Sequence, residues 1–331
     1  MPDPSVHALP LPGDALLADA STAAPRVTAT DMELHVAPVA VHGHPGVTDL
    51  LLVAMALIWG VNFSVVKFGT EVVPPLAFNA ARMLLASLAL GGMVLATRRR
   101  VSRADLTALL LLGVLGNGVY QYLFVQGVAL TRAGNAALVL AATPAFVALI
   151  GRLRGVERIR ARGAVGIAMS VAGIGLIVFS TSRTHTEGAS VRGDLLVLGA
   201  CVAWALYTVL LKPYTERVDG VTLSAATMVG GTVPLTLVAL PSLAAAPWAT
   251  LGWAGGGAIL YSGLGALVLA YLFWYRGVRQ LGPTRTAMYA NLQPVIALLV
   301  AWAVLAETPT LFQLLGAALI LAGLLLTRRV G

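Results

Sequence analysis

The side chains best able to do chemistry lie inside long apolar runs. In WGVNFSVVK, Trp59, Asn62, Phe63, Val66 and Lys67 fall at the spacing that shares one helical face. WALYTVLLK repeats the pattern with Trp204, Tyr207, Thr208, Leu211 and Lys212. Asn117, Tyr120, Gln121 and Phe124 make a third stripe, and Tyr289, Asn291, Gln293 and Pro294 a fourth group. Carboxamides and hydroxyls hydrogen-bond polar groups, while aromatic rings pack on apolar ones. The chemistry this allows is noncovalent recognition of a small molecule. Catalysis lacks its parts: there is no GxxxxGK[ST], HExxH or GxSxG pattern, and no histidine lies in an apolar run. The expectation is a protein that is not an enzyme, with no cofactor and no metal.

These stripes need elements that carry polar faces through an apolar surrounding. The chain is 58% hydrophobic and 11% charged, against about 25% charged in soluble domains. Its apolar residues come in blocks close to the ~20 residues a helix needs to cross hydrocarbon. Ten spans fit, over 49–69, 75–96, 106–126, 133–151, 162–180, 193–212, 221–240, 252–274, 285–305 and 311–327. The fold class is an all-α polytopic membrane protein embedded in a lipid bilayer. Residues 1–47 differ in kind: they hold seven of the 17 prolines and no long apolar run, and read as a disordered tail. His35, His42 and His44 in that tail read as solvated side chains rather than a metal site. The lone Cys201 lies within a span, so no internal disulfide can form.

The net charge of +8 does not point to nucleic acid, because the arginines occupy short joints between spans. One side carries Arg98, Arg99, Arg100, Arg103, Arg152, Arg154, Arg158, Arg160, Arg162, Lys212, Arg217, Arg276, Arg279, Arg285, Arg328 and Arg329. The other carries Arg132, Arg183 and Arg192, so the bias is 16 to 3. The positive-inside rule makes the first side cytoplasmic, with both termini there.

The two tryptophan-to-lysine stretches belong to an internal repeat. A shift of 145 aligns Trp59 with Trp204, Lys67 with Lys212 and Met83 with Met228. A shift of 150 aligns Gly127 with Gly277, Ala137 with Ala287, Pro144 with Pro294, Glu157 with Glu307 and Gly166 with Gly316. Two five-span units follow, at 48–182 and 190–328. Five is odd, so the second unit starts from the opposite side and the repeats are inverted. Secondary transporters use this architecture, with substrate held near the midplane between the repeats.

Several residues admit two readings. A carboxamide facing lipid would lack partners, so Asn62, Asn117, Gln121, Asn291 and Gln293 face inward. There they either join helices or line a path. Trp59 and Trp204 lie near mid-span, which favours cavity lining over interfacial anchoring. Arg82 lies within span 2, where an arginine is either paired, Glu71 being the nearest candidate, or used on substrate. Lys67 and Lys212 end their spans and can snorkel to headgroups. Pro144 and Pro294 kink spans 4 and 9, as hinges or gates. GAVGIAMSVAG (163–173) and GAALILAG (316–323) carry small residues for close packing of spans 5 and 10. Glu157 and Glu307 read as polar end signals, and no carboxylate falls in the central part of a span.

WGVNFSVVK resembles the opening signature of the EamA family, in the drug/metabolite transporter superfamily. So do AALVLAATPAFVALI, YLFWYRGVRQLGPTRTAMYANLQPVIALLVAW and ETPTLFQLLGAALILAG. The resemblance covers about 49–327. It implies two inverted EamA repeats in an inner or plasma membrane. It also implies export of small metabolites, often amino acids or related compounds, by alternating access, with a homodimer left open. Span 4 departs from the pattern in ending LRGVERIR, and the tail has no counterpart in it. Two alternatives stand beside this reading: an exporter of drugs or lipophilic compounds, and an integral membrane protein that transports nothing.

Overall fold

The computed structural model describes residues 45–97, 101–155, 161–184, 190–281, 286 and 289–328. The tail histidines, Glu157 and Arg285 lie outside them. All regular structure among the described residues is helical. The helices are α1 (Pro45–Val72), α2 (Pro75–Thr97), α3 (Arg103–Leu130), α4 (Ala133–Leu153), α5 (Ala161–Thr184), α6 (Val191–Thr215), α7 (Gly220–Ala245), α8 (Gly252–Gly277), α9 (Leu292–Leu305) and α10 (Leu311–Arg328). Eight of these are long and apolar enough to cross a membrane; α9 and α10 are shorter apolar helices.

Local sequence sets the boundaries. Pro74-Pro75 separates α1 from α2, because proline cannot continue the first helix but fits the first turn of the second. Ser102, Ser190 and Asp219 cap α3, α6 and α7, accepting from the backbone N–H groups of Asp105, Gly193 and Thr222. Pro144 and Pro294 do interrupt their spans. The first piece of α4 ends at Ala141, and Pro144 sits in the first turn of the second piece. α9 begins just after Asn291, with Pro294 in its first turn.

Contacts sort the joints into two sets. At one end Lys67 at the close of α1 reaches the carbonyl of Ala129 near the close of α3. There too, Thr131 of the α3–α4 joint meets Asp194 at the start of α6, and Arg132 meets Thr308 of the α9–α10 joint. At the other end Arg217, after α6, pairs with Asp105 of α3 at 3.0 Å. Tyr289, before α9, donates to Asp49 of α1 at 2.6 Å, and Thr48 donates to Gln280. Alternate helices therefore run up and down.

Small residues bring certain helices into backbone contact. α5 and α10 pack as the glycine patterns suggest: a Cβ on Gly173 would lie 2.7 Å from the Gly316 carbonyl, and one on Gly316 2.9 Å from that of Gly173. With side chains absent, dispersion between backbones replaces the hydrophobic drive that lipid cannot supply.

Candidate functional site

An aromatic chain runs through the middle of the bundle. Trp59 of α1 meets Tyr271 of α8 edge-on at 5.6 Å. Tyr271 meets Trp204 of α6 at 6.2 Å, and Trp204 meets Tyr120 of α3 at 4.9 Å. Tyr120 stacks with Phe124 at 5.8 Å, and Phe124 meets Phe63 edge-on at 5.7 Å. Phe63 lies one turn after Trp59 on α1, so the chain closes into a ring. Tyr207 extends it from Trp204 at 5.1 Å and is buried. Edge-on and offset pairs match the ring quadrupole and hold the ring in shape.

Arg82 of α2 lies beside this ring at Phe124 and is 0% exposed. Its Nε donates to Asn79 Oδ1 at 3.0 Å, its Nη1 to Ser262 Oγ at 2.8 Å, and its Nη2 to Gln121 Oε1. Asn79 in turn donates to the Gln121 carbonyl at 2.9 Å. The guanidinium carbon lies 6.0 Å from the Phe124 ring and 5.9 Å from that of Phe78. Sequence reasoning offered Glu71 as a partner. Glu71 is instead exposed, and the arginine is bound by neutral oxygens from three helices. The ion pairs formed among the described residues do not include it. Three bonds leave one N–H on each terminal nitrogen without an acceptor among the described residues.

Two π-helical stretches shape the site, and periodicity did not reveal them. Val114–Val119 lies in α3 and Tyr261–Leu269 in α8, at matching places in the repeat. A π turn shifts the hydrogen-bond register and redirects neighbouring groups. Ser262 comes from the second stretch, and the Ala266 carbonyl there accepts from Trp59 Nε1 at 2.9 Å. Tyr261 returns a bond to the Ile58 carbonyl at 3.0 Å. Asn117 lies in the first stretch. The glycines Gly116, Gly118, Gly263 and Gly265 were the available signal. Gly263 has a physical reason: a Cβ would sit 3.0 Å from the Arg82 carbonyl.

The structure therefore brings Trp59, Phe63, Tyr120, Gln121, Trp204, Tyr207 and Arg82 together, and adds Phe124, Tyr271, Asn79 and Ser262. Asn62 and Asn117 are buried, and the Oδ1 of each has no hydrogen-bond partner among the described residues. Other residues named from sequence stand apart. Thr208 is exposed and donates to the Trp204 carbonyl of its own helix at 2.8 Å. Tyr289 ties two helix starts together at one end of the bundle. Asn291 and Gln293 are half-buried at the start of α9. Lys67 does not snorkel outward: it is 8% exposed, its Nζ donating to the Ala129 carbonyl at 3.1 Å, whereas Lys212 is exposed. Glu307 is more than an end signal. It accepts from the backbone N–H groups of Ala133 at 3.0 Å and Gly134 at 3.2 Å, and pairs with Arg132 at 3.8 Å. It thus supplies the cap that α4 lacks locally. Among the described residues no group of His, Cys, Asp and Glu is placed to hold a metal ion.

Known proteins share this design. The EamA-like transporter family model matches twice, over residues 46–179 and 191–329. The chain is 30% identical to a Streptantibioticus cattleyicolor protein named "Probable terminal-alkyne amino-acid exporter", over 84% of this chain and 92% of that one. It is 28% identical to a Salmonella typhimurium protein named "Probable amino-acid metabolite efflux pump", over 83% and 92% of the two chains. A solved crystal structure superposes with a TM-score of 0.58 at 22% identity, covering 86% of this chain and 99% of its own, and shares the fold. With apolar helices long enough to span a bilayer and both halves matched, the chain is a multi-pass membrane transporter and belongs to the EamA-like transporter family.

Proposed function

We propose that the protein exports small carboxylate-bearing metabolites, amino acids or related compounds, across an inner or plasma membrane by alternating access. The moving parts are ten spans in two inverted five-helix repeats, 48–182 and 190–328, behind a cytoplasmic tail 1–47. The sorting of joints into two ends supports inversion, and the arginine-rich joints support cytoplasmic termini.

The observation that carries the substrate reading is Arg82, a fully buried cation held by neutral oxygens beside an aromatic ring. A buried charge lacking an opposite one is unfavourable unless a ligand supplies it. A substrate carboxylate would accept the two remaining N–H groups in the forked geometry arginine favours. The rings of Trp59, Tyr120, Trp204 and Tyr271 would pack on the apolar part. The unpartnered oxygens of Asn62 and Asn117 are acceptors suited to a substrate N–H. A fixed positive charge at the centre counts against an exporter of lipophilic cations. The names of two relatives, "Probable terminal-alkyne amino-acid exporter" and "Probable amino-acid metabolite efflux pump", agree with a carboxylate substrate.

Counterflow in proteoliposomes tests this. Vesicles preloaded with a mixture of L-amino acids should accumulate a radiolabelled mixture from outside. Failure to do so, together with accumulation of a lipophilic cation, would sink the proposal.

A further inference from the structure

A second buried charge lies away from the aromatic ring. Asp194, in the first turn of α6, is 0% exposed. Its Oδ1 accepts from Thr131 Oγ at 2.5 Å and from Asn135 Nδ2 at 3.3 Å. Its Oδ2 is buried and has no hydrogen-bond partner among the described residues. An ionised carboxylate can accept about four hydrogen bonds, and here the described donors are neutral: Thr131 and Asn135 serve Oδ1, and the Thr181 hydroxyl lies close by.

Among the described residues the surroundings offer no counter-charge. Arg132, beside Thr131, turns to Glu307 and the Thr308 carbonyl. Lys67 of α1 donates to the Ala129 carbonyl, and Arg192 is exposed. From α5 the described neighbour is Thr181, whose hydroxyl donates to the Ile177 carbonyl at 3.2 Å and accepts from Asn135 Nδ2 at 3.0 Å. From α10 comes Gln313, which donates to Asn135 Oδ1. The backbones pack closely beside it: a Cβ on Gly193 would lie 2.7 Å from the Leu130 carbonyl carbon.

We propose that Asp194 Oδ2, with the hydroxyl oxygens of Thr131 and Thr181 nearby, is the binding site of the monovalent cation, H+ or Na+, that drives transport. The position suits coupling. Thr131, Asn135 and Thr181 belong to the first repeat, and Asp194 and Gln313 to the second, so the site spans the seam that alternating access must open. Loading the carboxylate weakens the charge-assisted bond from Thr131 that joins the α3–α4 joint to α6. The cation would thereby favour opening of this end. This rests on the transport reading, though the cation site itself does not.

Two measurements test it on the full chain. In proteoliposomes, wild type should accumulate the labelled amino-acid mixture under an imposed pH or Na+ gradient, and the gradient that works names the cation. Asp194→Asn should lose at least tenfold of the gradient-driven accumulation while keeping counterflow, which needs no driving cation. Gradient-driven accumulation intact in Asp194→Asn, or none under either gradient in a wild type that performs counterflow, overturns the proposal. Infrared difference spectra, taken on changing pH or adding Na+, provide a readout free of transport. A carboxyl band should be present in wild type, absent in Asp194→Asn and displaced in Thr131→Val. If Asp194→Asn does not fold, a band unmoved by Thr131→Val overturns the site. A wild type without counterflow would refute the transport reading, while the infrared result would still decide the cation site.

Discussion

Replacing Arg82 by methionine separates a structural arginine from one that holds substrate. Methionine is unbranched and fills irregular space, so packing changes little. The change removes bonds to Asn79 Oδ1, Gln121 Oε1 and Ser262 Oγ. The Ser262 hydroxyl can turn, but the two amide oxygens are left without their donors, at about 1–3 kcal/mol each. Against that, an intramembrane arginine is itself unfavourable, by up to about 2.5–3.5 kcal/mol at a helix centre. The two effects largely cancel, and Arg82→Met should lose no more than about 3 kcal/mol of stability. Substrate binding has no such compensation. A hydrogen bond to a charged group contributes about 1.5–3 kcal/mol, which is about 10- to 140-fold in affinity at 1.4 kcal/mol per decade. The assay is inhibition of counterflow by an amino acid and by the amine left when its carboxylate is removed. Wild type should prefer the amino acid by that factor, and Arg82→Met should lose the preference while its melting point in detergent moves by only a few degrees. An undiminished preference in folded Arg82→Met would refute the assignment, and a variant that cannot fold would make the arginine structural.

Other changes probe the surroundings. Asn62→Ala, Gln121→Ala and Trp59→Ala should each abolish counterflow while yielding folded protein, checked by size-exclusion chromatography; full activity in all three removes the ring from the transport path. Trp59→Phe keeps the ring but loses the bond to the Ala266 carbonyl, and should lower stability by about 1 kcal/mol in thermal unfolding. Gly173→Val forces a side chain against the Gly316 carbonyl and should destabilise the α5–α10 pair by about 1–3 kcal/mol, whereas an unchanged melting point would show that these helices can separate freely. Glu307→Ala strands Arg132 and uncaps α4, for about 3 kcal/mol; Glu307→Gln, which still offers one acceptor, should lose less.

Much of this architecture is legible in the chain, because hydrocarbon allows few alternatives. An apolar run of about 20 residues must be helical, an amide in it must face inward, and glycines at helical spacing mark close packing. The α5–α10 contact and the inward Asn62, Asn117 and Gln121 follow from those constraints alone. The π stretches do not, since an inserted register shift leaves the apolar pattern almost unchanged; only the paired glycines hint at it. The hydrogen-bond partners of Arg82 are hidden for a different reason. Glu71 is near in sequence, whereas Ser262 comes from 180 residues away, and no local spacing reports that approach. Lys67 and Lys212 show a further limit. In the proposed inverted repeats they are equivalent, each eight residues after its tryptophan. Yet Lys67 is buried on the Ala129 carbonyl and Lys212 is exposed. The bonds from Thr131 to Asp194, and from Ala133 and Gly134 to Glu307, gather at the Lys67 end. Equivalent positions in the repeat thus meet different surroundings, because the residues packed around each lysine differ. A repeat in sequence therefore identifies matching positions, while the environment of each is set by contacts from helices distant in the chain.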